Sequence, residues 1–292
     1  MQIQTDKNQK ELKAHGTYEF PVLVSHEKLS NYERNSFLWH WHKELEWTYV
    51  QDGEIQYQIN DQIYHLQKGQ GILCNSNMPH TGKPLQDGDC SYVSITFHPR
   101  LLEGPANSFL AEKYAAPIVE NPAVQCFLLD EKYPRQKEIL SHLSKIDQLY
   151  LSEEEDYDFQ IYLLLMECWR FVCSHVNSAA HAQNFGKNIQ RIKQILTYIH
   201  ENFREKITLE DIAAQVNICP SECCRFFKKH MHESLFDYLL NYRIEQSLVL
   251  LEKNEYSITE ISGLCGFSSP SYFTKVFREK MRYTPREYQR RK

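Results

Sequence analysis

The nine cysteines of this 292-residue chain form no Cys-x-x-Cys pair, and nine is an odd number. A disulfide framework is therefore a poor fit, and reduced thiols in a cytoplasmic protein are the expected state. The chain also lacks a long apolar run. The longest, Ile161 to Val172, contains Glu167 and Arg170 and is too short to span a bilayer. The opening stretch, MQIQTDKNQKELK, holds no apolar signal core. Export and membrane insertion are not expected. Excess positive charge is missing too: the net charge is -5, in an ordinary soluble composition of 24% charged and 42% hydrophobic residues. That balance argues against nucleic acid until the charge is located. Residues 187–292 hold 18 Lys/Arg against 13 Asp/Glu, whereas residues 1–186 hold 15 against 25. A basic C-terminal third behind an acidic remainder suggests a nucleic-acid module joined to something else. Chance, helped by the terminal Arg-Arg-Lys, would give the same imbalance.

From about Tyr18 to His98 the chain reads as short strands. Ile55, Tyr57 and Ile59 alternate with polar neighbours, the period of a half-buried strand, and SYVSITF does likewise. Turn signals stand between the strands at Gln51-Asp52-Gly53, Asn60-Asp61 and Gly69-Gln70-Gly71. Short strands at regular spacing suggest a sandwich or small barrel. From Pro134 to Val176 the pattern is helical, with apolar residues at 139, 140, 143, 146 and 149, then at 161, 164, 165, 168, 169 and 172. Such a stripe is core or, in a hairpin of helices, a dimer face. The small polar stretch 177–187 reads as a linker. Beyond it the chain is helical to its end.

Two segments in that last part share one layout. LEDIAAQVNICPSECCRFFKK starts at Leu209 and ITEISGLCGFSSPSYFTKVFREK at Ile258. The offset is 49 residues before a turn at Asn217 or Gly266 and 50 after it. That turn calls for positive φ, which Gly supplies freely and Asn tolerates. Each segment is then a helix-turn-helix whose second helix buries one face. Cys223, Phe226 and Phe227 point inward in the first copy, and Phe273, Val276 and Phe277 in the second. The opposite stripes are Ser221, Cys224, Arg225 and Lys228, and Ser271, Thr274, Lys275 and Arg278. Small hydroxyls let a helix backbone approach a major groove, while long cations reach base acceptors or phosphates. A helical bundle with a solvated basic face is the plainer alternative, and it does not explain two matched stripes.

At these residues the segment closely resembles the C-terminal domain of AraC/XylS-type transcription regulators. The signature end stands here as Gly266-Phe267-Ser268, Tyr272-Phe273, Lys275, Phe277 and Thr284-Pro285. The resemblance implies an all-α double helix-turn-helix domain over 188–292, with a joining helix from Leu235 to Lys253. The first unit departs from the pattern: Asn217 replaces the usual Gly, Cys219 the usual Ser cap, and Glu222 would face phosphates unless it accepts from a cytosine amino group. Sequence-specific contact is therefore expected more from the second unit. The Cys219, Cys223 and Cys224 cluster reads as inert helix thiols.

In the front part, His40-x-His42, Glu46, Gly53 and a later Pro79-His80 resemble the cupin barrel, whose equivalent residues bind a divalent metal in the enzymes. Strand alternation would put His40, His42 and Glu46 on one face, with Leu45 and Trp47 on the other. Three readings stay open: a metal site, a metal-free pocket for a small molecule such as a sugar, and a buried polar network. The combined expectation is an α+β chain. A cupin-like effector-binding barrel occupies 1–133 and a helical dimerisation segment 134–176. The protein is expected to be a homodimeric, non-enzymatic regulator of transcription that binds double-stranded DNA and contacts RNA polymerase if it activates. His40, His42, Glu46 and His80 are the expected effector ligands, with no cofactor. A metal-binding cupin enzyme carrying a DNA-binding tail is the alternative.

Overall fold

The computed structural model describes residues 2–6, 9–85, 88–104, 108–176 and 182–290, with side chains from 187 onward in the last stretch. The chain divides into two compact units, Met1–Ile189 and Gln190–Lys292. No described helix is long and apolar enough to cross a membrane.

The first unit is a barrel of eight antiparallel strands: β1 (Val22–Lys28), β2 (Phe37–His40), β3 (Leu45–Ile59), β4 (Gln62–Gln67), β5 (Gln70–Cys74), β6 (His80–Pro84), β7 (Cys90–Phe97) and β8 (Cys126–Asp130). The long strand β3 belongs to two sheets. Its first half pairs β7 and β5, and its second half pairs β4 and β6, which in turn pairs β2. Gln51-Asp52-Gly53, expected to end a strand, is instead a bulge inside this one. Val50 pairs Tyr92 and Asp52 pairs Ser91, so β3 carries one residue more than β7 there. Gly53 takes φ 78°, which lets the strand bend and continue. The extra residue reverses the facing of the side chains. Before it, even-numbered Glu46 and Thr48 point into the barrel; after it, odd-numbered Ile55, Tyr57 and Ile59 do. Asn60, at φ 48°, turns the chain into β4.

The outer face of β3 and β7, with Leu45, Trp47, Tyr49, Val93, Ile95 and Phe97, packs against two helices. Two short helices, α1 (Arg100–Glu103) and α2 (Ala116–Val119), lead from β7 to β8, and then α3 (Pro134–Ser152) and α4 (Tyr157–His175) form a hairpin. Its apolar stripe, including Ile139, Leu143, Ile146, Ile161, Leu165 and Val172, is buried in this core. Each such side chain contributes about 1.5–3 kcal/mol on burial, so the stripe fastens the hairpin to the sheet. It is not a free dimer face, because the sheet presents the apolar surface that the stripe covers.

Helix α5 spans Ala182–Asn202. Its first turns occupy positions that read as linker from composition; the rest of that segment, 177–181, lies outside the described residues. Small polar residues look alike in a linker and in a solvated helix, and Gly186 alone costs only about 1 kcal/mol.

The second unit contains α6 (Leu209–Gln215), α7 (Pro220–Met231), α8 (Leu235–Lys253), α9 (Ile258–Leu264), α10 (Pro270–Met281) and α11 (Pro285–Gln289). The repeat is visible atom by atom. Helices α6 and α9 each have seven residues and start with a capping box, Thr208 with Asp211 and Ser257 with Glu260. Helices α7 and α10 each have twelve residues with Pro at the start. Asn217 and Gly266 take φ 52° and 76°. The inward Phe227 meets Tyr238 edge-on at 5.7 Å, and Phe277 meets Tyr288 likewise at 5.9 Å. The offset changes from 49 to 50 because the second turn is one residue longer.

Gly266 is the tighter of the two turns. A Cβ there would lie 2.4 Å from the Phe203 carbonyl oxygen. Gly266→Ala should therefore destabilise the C-terminal unit by at least about 1–3 kcal/mol. Asn217→Gly, at the matching position, should be neutral or stabilise by up to about 1 kcal/mol. Urea unfolding followed by circular dichroism measures both; equal shifts for the two variants would contradict this account of the turns.

Candidate ligand site and nucleic-acid face

Glu46 points from β3 into the barrel, where Thr48 and Tyr57 donate hydroxyls to its Oε1 at 2.8 and 3.4 Å. Its Oε2 faces His42 Nε2 at 3.1 Å and His80 Nε2 at 3.5 Å. His40 ends β2 and stands opposite His80 in the β2–β6 ladder, with ring centroids 4.1 Å apart. The donor atoms of His40, His42, Glu46 and His80 all lie within 4.8 Å of one another. The four residues are between 1% and 7% exposed. The expected residues are thus brought together, but not by alternation along one strand. Strand β2 stops at His40, regular pairing is interrupted at 41–44, and His42 enters from that break. His80 arrives through pairing with both β2 and β3.

Each histidine turns its Nδ1 to a backbone carbonyl: His40 to Leu38 at 2.9 Å, His42 to Glu44 at 3.1 Å and His80 to Met78 at 2.9 Å. A carbonyl only accepts, so each Nδ1 carries a hydrogen. Each Nε2 then aims a lone pair at the centre unless the ring takes a second proton. Carbonyl partners orient metal-bound imidazoles in the same way. The Nε2 of His80 is buried without a hydrogen bond. Three lone pairs and a carboxylate in a dry space repel one another until a positive charge enters, either as a proton on one ring or as a cation. Burial, then the neighbouring His80, pushes His40 down to about 3. Burial also opposes charge on His80, but Cys74 and Glu46 reverse this and take it well above the ordinary histidine value. Burial would raise the Glu46 carboxyl, yet His42 and His80 hold it well below the usual range.

A cavity of about 370 Å³ opens beside the cluster. His40 and Glu46 reach it, together with Ser25, Glu27, Tyr32, Phe37, Tyr92, Ser94 and Thr96 from the barrel. Gln4, Glu11 and His15 close it from the N-terminal segment. Glu11 and His15 escaped the sequence reading. They lie in a stretch without apolar periodicity, and only the tertiary fold carries them to the other histidines.

In the second unit, Ser221, Cys224, Arg225 and Lys228 share the exposed face of α7. Ser271, Lys275 and Arg278 are exposed on α10, while Thr274 is half-buried and donates its hydroxyl to the Pro270 carbonyl at 2.9 Å. Cys223 and Phe227, and Phe273, Val276 and Phe277, are buried, and Phe226 is half-buried. Cys219 begins α7 without a side-chain cap, whereas Ser269 begins α10 and accepts from the Tyr272 amide. The start of α10 is thus held by a side-chain cap that α7 lacks. The capping boxes were readable as Ser/Thr-x-x-Asp/Glu before each apolar stretch.

Comparison with known proteins gives matches over both units. Residues 28–158 match the family model of the AraC-like ligand binding domain, and residues 212–291 match that of a helix-turn-helix domain. The HTH-type transcriptional regulator YdeC of Bacillus subtilis is 32% identical over 286 residues, covering 98% of this chain and 97% of its own. The melibiose operon regulatory protein of Escherichia coli is 24% identical over 255 residues, covering 86% and 83%. A solved structure, fatty acid-bound ToxT from Vibrio cholerae, covers 92% of this chain and 94% of its own at 15% identity and a TM-score of 0.41, a likeness too loose to speak of a ligand.

The two exposed stripes lead to a measurable outcome. Lys275→Ala and Arg225→Ala should each weaken binding to DNA from the protein's own promoter by about 1–3 kcal/mol. Arg278→Ala should weaken all sequences alike and lower the slope of log affinity against log salt by about 1. Fluorescence anisotropy at several salt concentrations reads both effects, and binding indifferent to salt would refute the nucleic-acid face.

Proposed function

Because the chain belongs to the AraC family of transcription regulators, with a ligand-binding domain and a helix-turn-helix DNA-binding domain, we propose that the cavity of the barrel is the effector site. The observation that carries this is the convergence of His40, His42, Glu46 and His80 at the edge of a cavity of about 370 Å³. That volume suits a small molecule. The hydroxyls of Tyr32, Tyr92, Ser25, Ser94 and Thr96 and the carboxylates of Glu27 and Glu46 offer partners to a polyol or sugar. The name of the melibiose regulator among the relatives supports the same class. We read the barrel as sensing and not catalytic. DNA contact is assigned to the outward faces of α7 and α10, in a cytoplasmic homodimer that meets RNA polymerase where it activates.

The donor set also favours a cation beside the effector. Three imidazoles with their outer nitrogens tied to carbonyls, one carboxylate and an orphaned buried Nε2 fit a first-row divalent ion. His40, His42, Glu46 and His80 would hold it, and it would supply a Lewis-acidic point for an effector oxygen. Protein purified without a histidine tag and reconstituted should carry about one equivalent of Co(II) or Zn(II) per chain, by metal analysis. Glu46→Gln and His80→Ala should lower that to background while the C-terminal unit still binds DNA. A thermal-shift screen of sugars and polyols should find a stabilising compound; at one hundred times its Kd the gain is about 2.7 kcal/mol. Absence of bound metal in the wild type would remove the cation, and a screen without hits would remove the polyol.

A further inference from the structure

The second compact unit holds a groove of its own, lined by none of the eight residues of the outward stripes. It has a volume of about 580 Å³ and runs between α8, the turn from α9 to α10, and the loop 204–207 that precedes α6. Its walls are apolar: Ile207, Phe236, Leu239, Leu240, Phe267 and Tyr272. The side chains of Phe236 and Tyr272 stay 44% and 41% exposed.

Three cations meet this apolar surface: Arg204, Lys206 and Arg243. Arg243 is only 9% exposed. The carbonyls of Phe203 and Glu205 accept from its Nε and Nη2. They engage two of its five N–H donors and leave its charge in place. Burial pulls Arg243 below the ordinary arginine value, and what counters burial is a phenol, Tyr272, and a thiol, Cys265, not a carboxylate. Arg204 and Arg243 both act on Cys265, so the two guanidiniums converge on one place. Among the described residues, no carboxylate pairs with Arg204, Lys206 or Arg243. Glu205 also lines the groove, but it is exposed and forms no ion pair with them. Three cations against this one carboxylate leave positive charge in excess, and a buried cation without a counter-ion is costly.

The groove therefore lacks a negative charge and offers aromatic surface beside it. A phosphate-sized anion would meet the charge and leave the apolar walls bare. A guanidinium receives a planar carboxylate through paired N–H groups, and phenyl rings receive a flat apolar body. We propose that this groove binds a small aryl carboxylate, its ring system against Phe236, Phe267 and Tyr272 and its carboxylate at Arg204 and Arg243. The volume falls in the range of small-molecule sites. The helix-turn-helix unit thereby has a ligand site separate from the barrel.

The experiment uses the full chain, with naphthoate as the probe and naphthalenemethanol as its uncharged counterpart. Calorimetry should show naphthoate bound about tenfold or more tightly than the alcohol, because the alcohol leaves the cations unpaired. In labelled wild-type protein, the methyl resonances of Ile207, Leu239 and Leu240 should shift as naphthoate is added. Gly263 offers a way to fill the groove: it lines it, takes no positive φ, and a Cβ there meets no atom within 4 Å. Leu is also the better helix former. Gly263→Leu should weaken naphthoate binding by about tenfold or more, with the thermal unfolding midpoint unchanged or raised. Arg204→Ala should weaken naphthoate and leave the alcohol unaffected. Absence of naphthoate binding, or equal binding of acid and alcohol, overturns the proposal. A folded Gly263→Leu protein that binds naphthoate as the wild type does overturns it too, since the anion then sits elsewhere. If Arg204→Ala and Lys206→Ala weaken binding to promoter DNA in a chain that does not bind naphthoate, the groove belongs to the phosphate backbone and the proposal falls. The methyl shifts in the wild type decide the location even if a variant fails to fold.

Discussion

Inside the barrel, the carboxylate of Glu46 is removed from water with no Lys or Arg beside it among the described residues. An isolated carboxylate in such a place would cost several kcal/mol, so its neighbours are set by that cost. Thr48 and Tyr57 occupy Oε1 with hydroxyls, and His42 and His80 crowd Oε2. The hydroxyls can satisfy one oxygen. The imidazoles cannot satisfy the other while their Nδ1 hydrogens belong to backbone carbonyls. The remaining positive charge has to be mobile, a proton or an ion. A sensor gains from this arrangement, since a site whose balance depends on something exchangeable reports whether that something is present.

The geometry that allows this comes from one residue. Without the bulge at Gln51, Tyr57 would face away from Glu46, because eleven positions separate them and a regular strand alternates at every step. The extra residue puts both inside and lets β3 leave one sheet for the other. It also lets the same strand present Leu45, Trp47 and Tyr49 to the helices α3 and α4. The hydrophobic attachment of the hairpin and the polar site are consequences of the same local irregularity.

Much of this was legible in the sequence. The paired helix-turn-helix segments followed from apolar spacing and from the demand for positive φ at Asn217 and Gly266, and α8 has the expected bounds. The four barrel residues followed from a motif. What alternation alone got wrong, it got wrong for identifiable reasons. A bulge looks like a turn because both use Asp and Gly, and a strand break between His40 and Glu46 leaves the same side chains converging by another route. The helix stripe at 139–172 was ambiguous between core and dimer face, since burial is the same physics in either case. Glu11 and His15 were beyond reach: their partners lie on β2 and β7, and no local period encodes a meeting across such sequence distance.

The second unit shows how a repeat can be unequal and still act as one body. Arg243, buried on α8, donates Nε to the Phe203 carbonyl and Nη2 to the Glu205 carbonyl, each at 2.7 Å. Its guanidinium also lies 5.9 Å from the Phe267 ring, just past the turn of the second head. The backbone of Gly266 fits against the same Phe203–Arg204 segment, which explains why only glycine suits that turn while Asn serves in the first. The loop that closes the support of the first head is therefore locked to the second. Charge-assisted hydrogen bonds of this kind contribute about 1.5–3 kcal/mol each, enough to make relative motion of the heads costly. With the heads held together, the first need not bind well by itself. On the DNA contact proposed for α10 and α7, seating α10 would deliver α7 at high effective concentration, so that a missing cap at Cys219 or an acidic Glu222 would lower its contribution without releasing it.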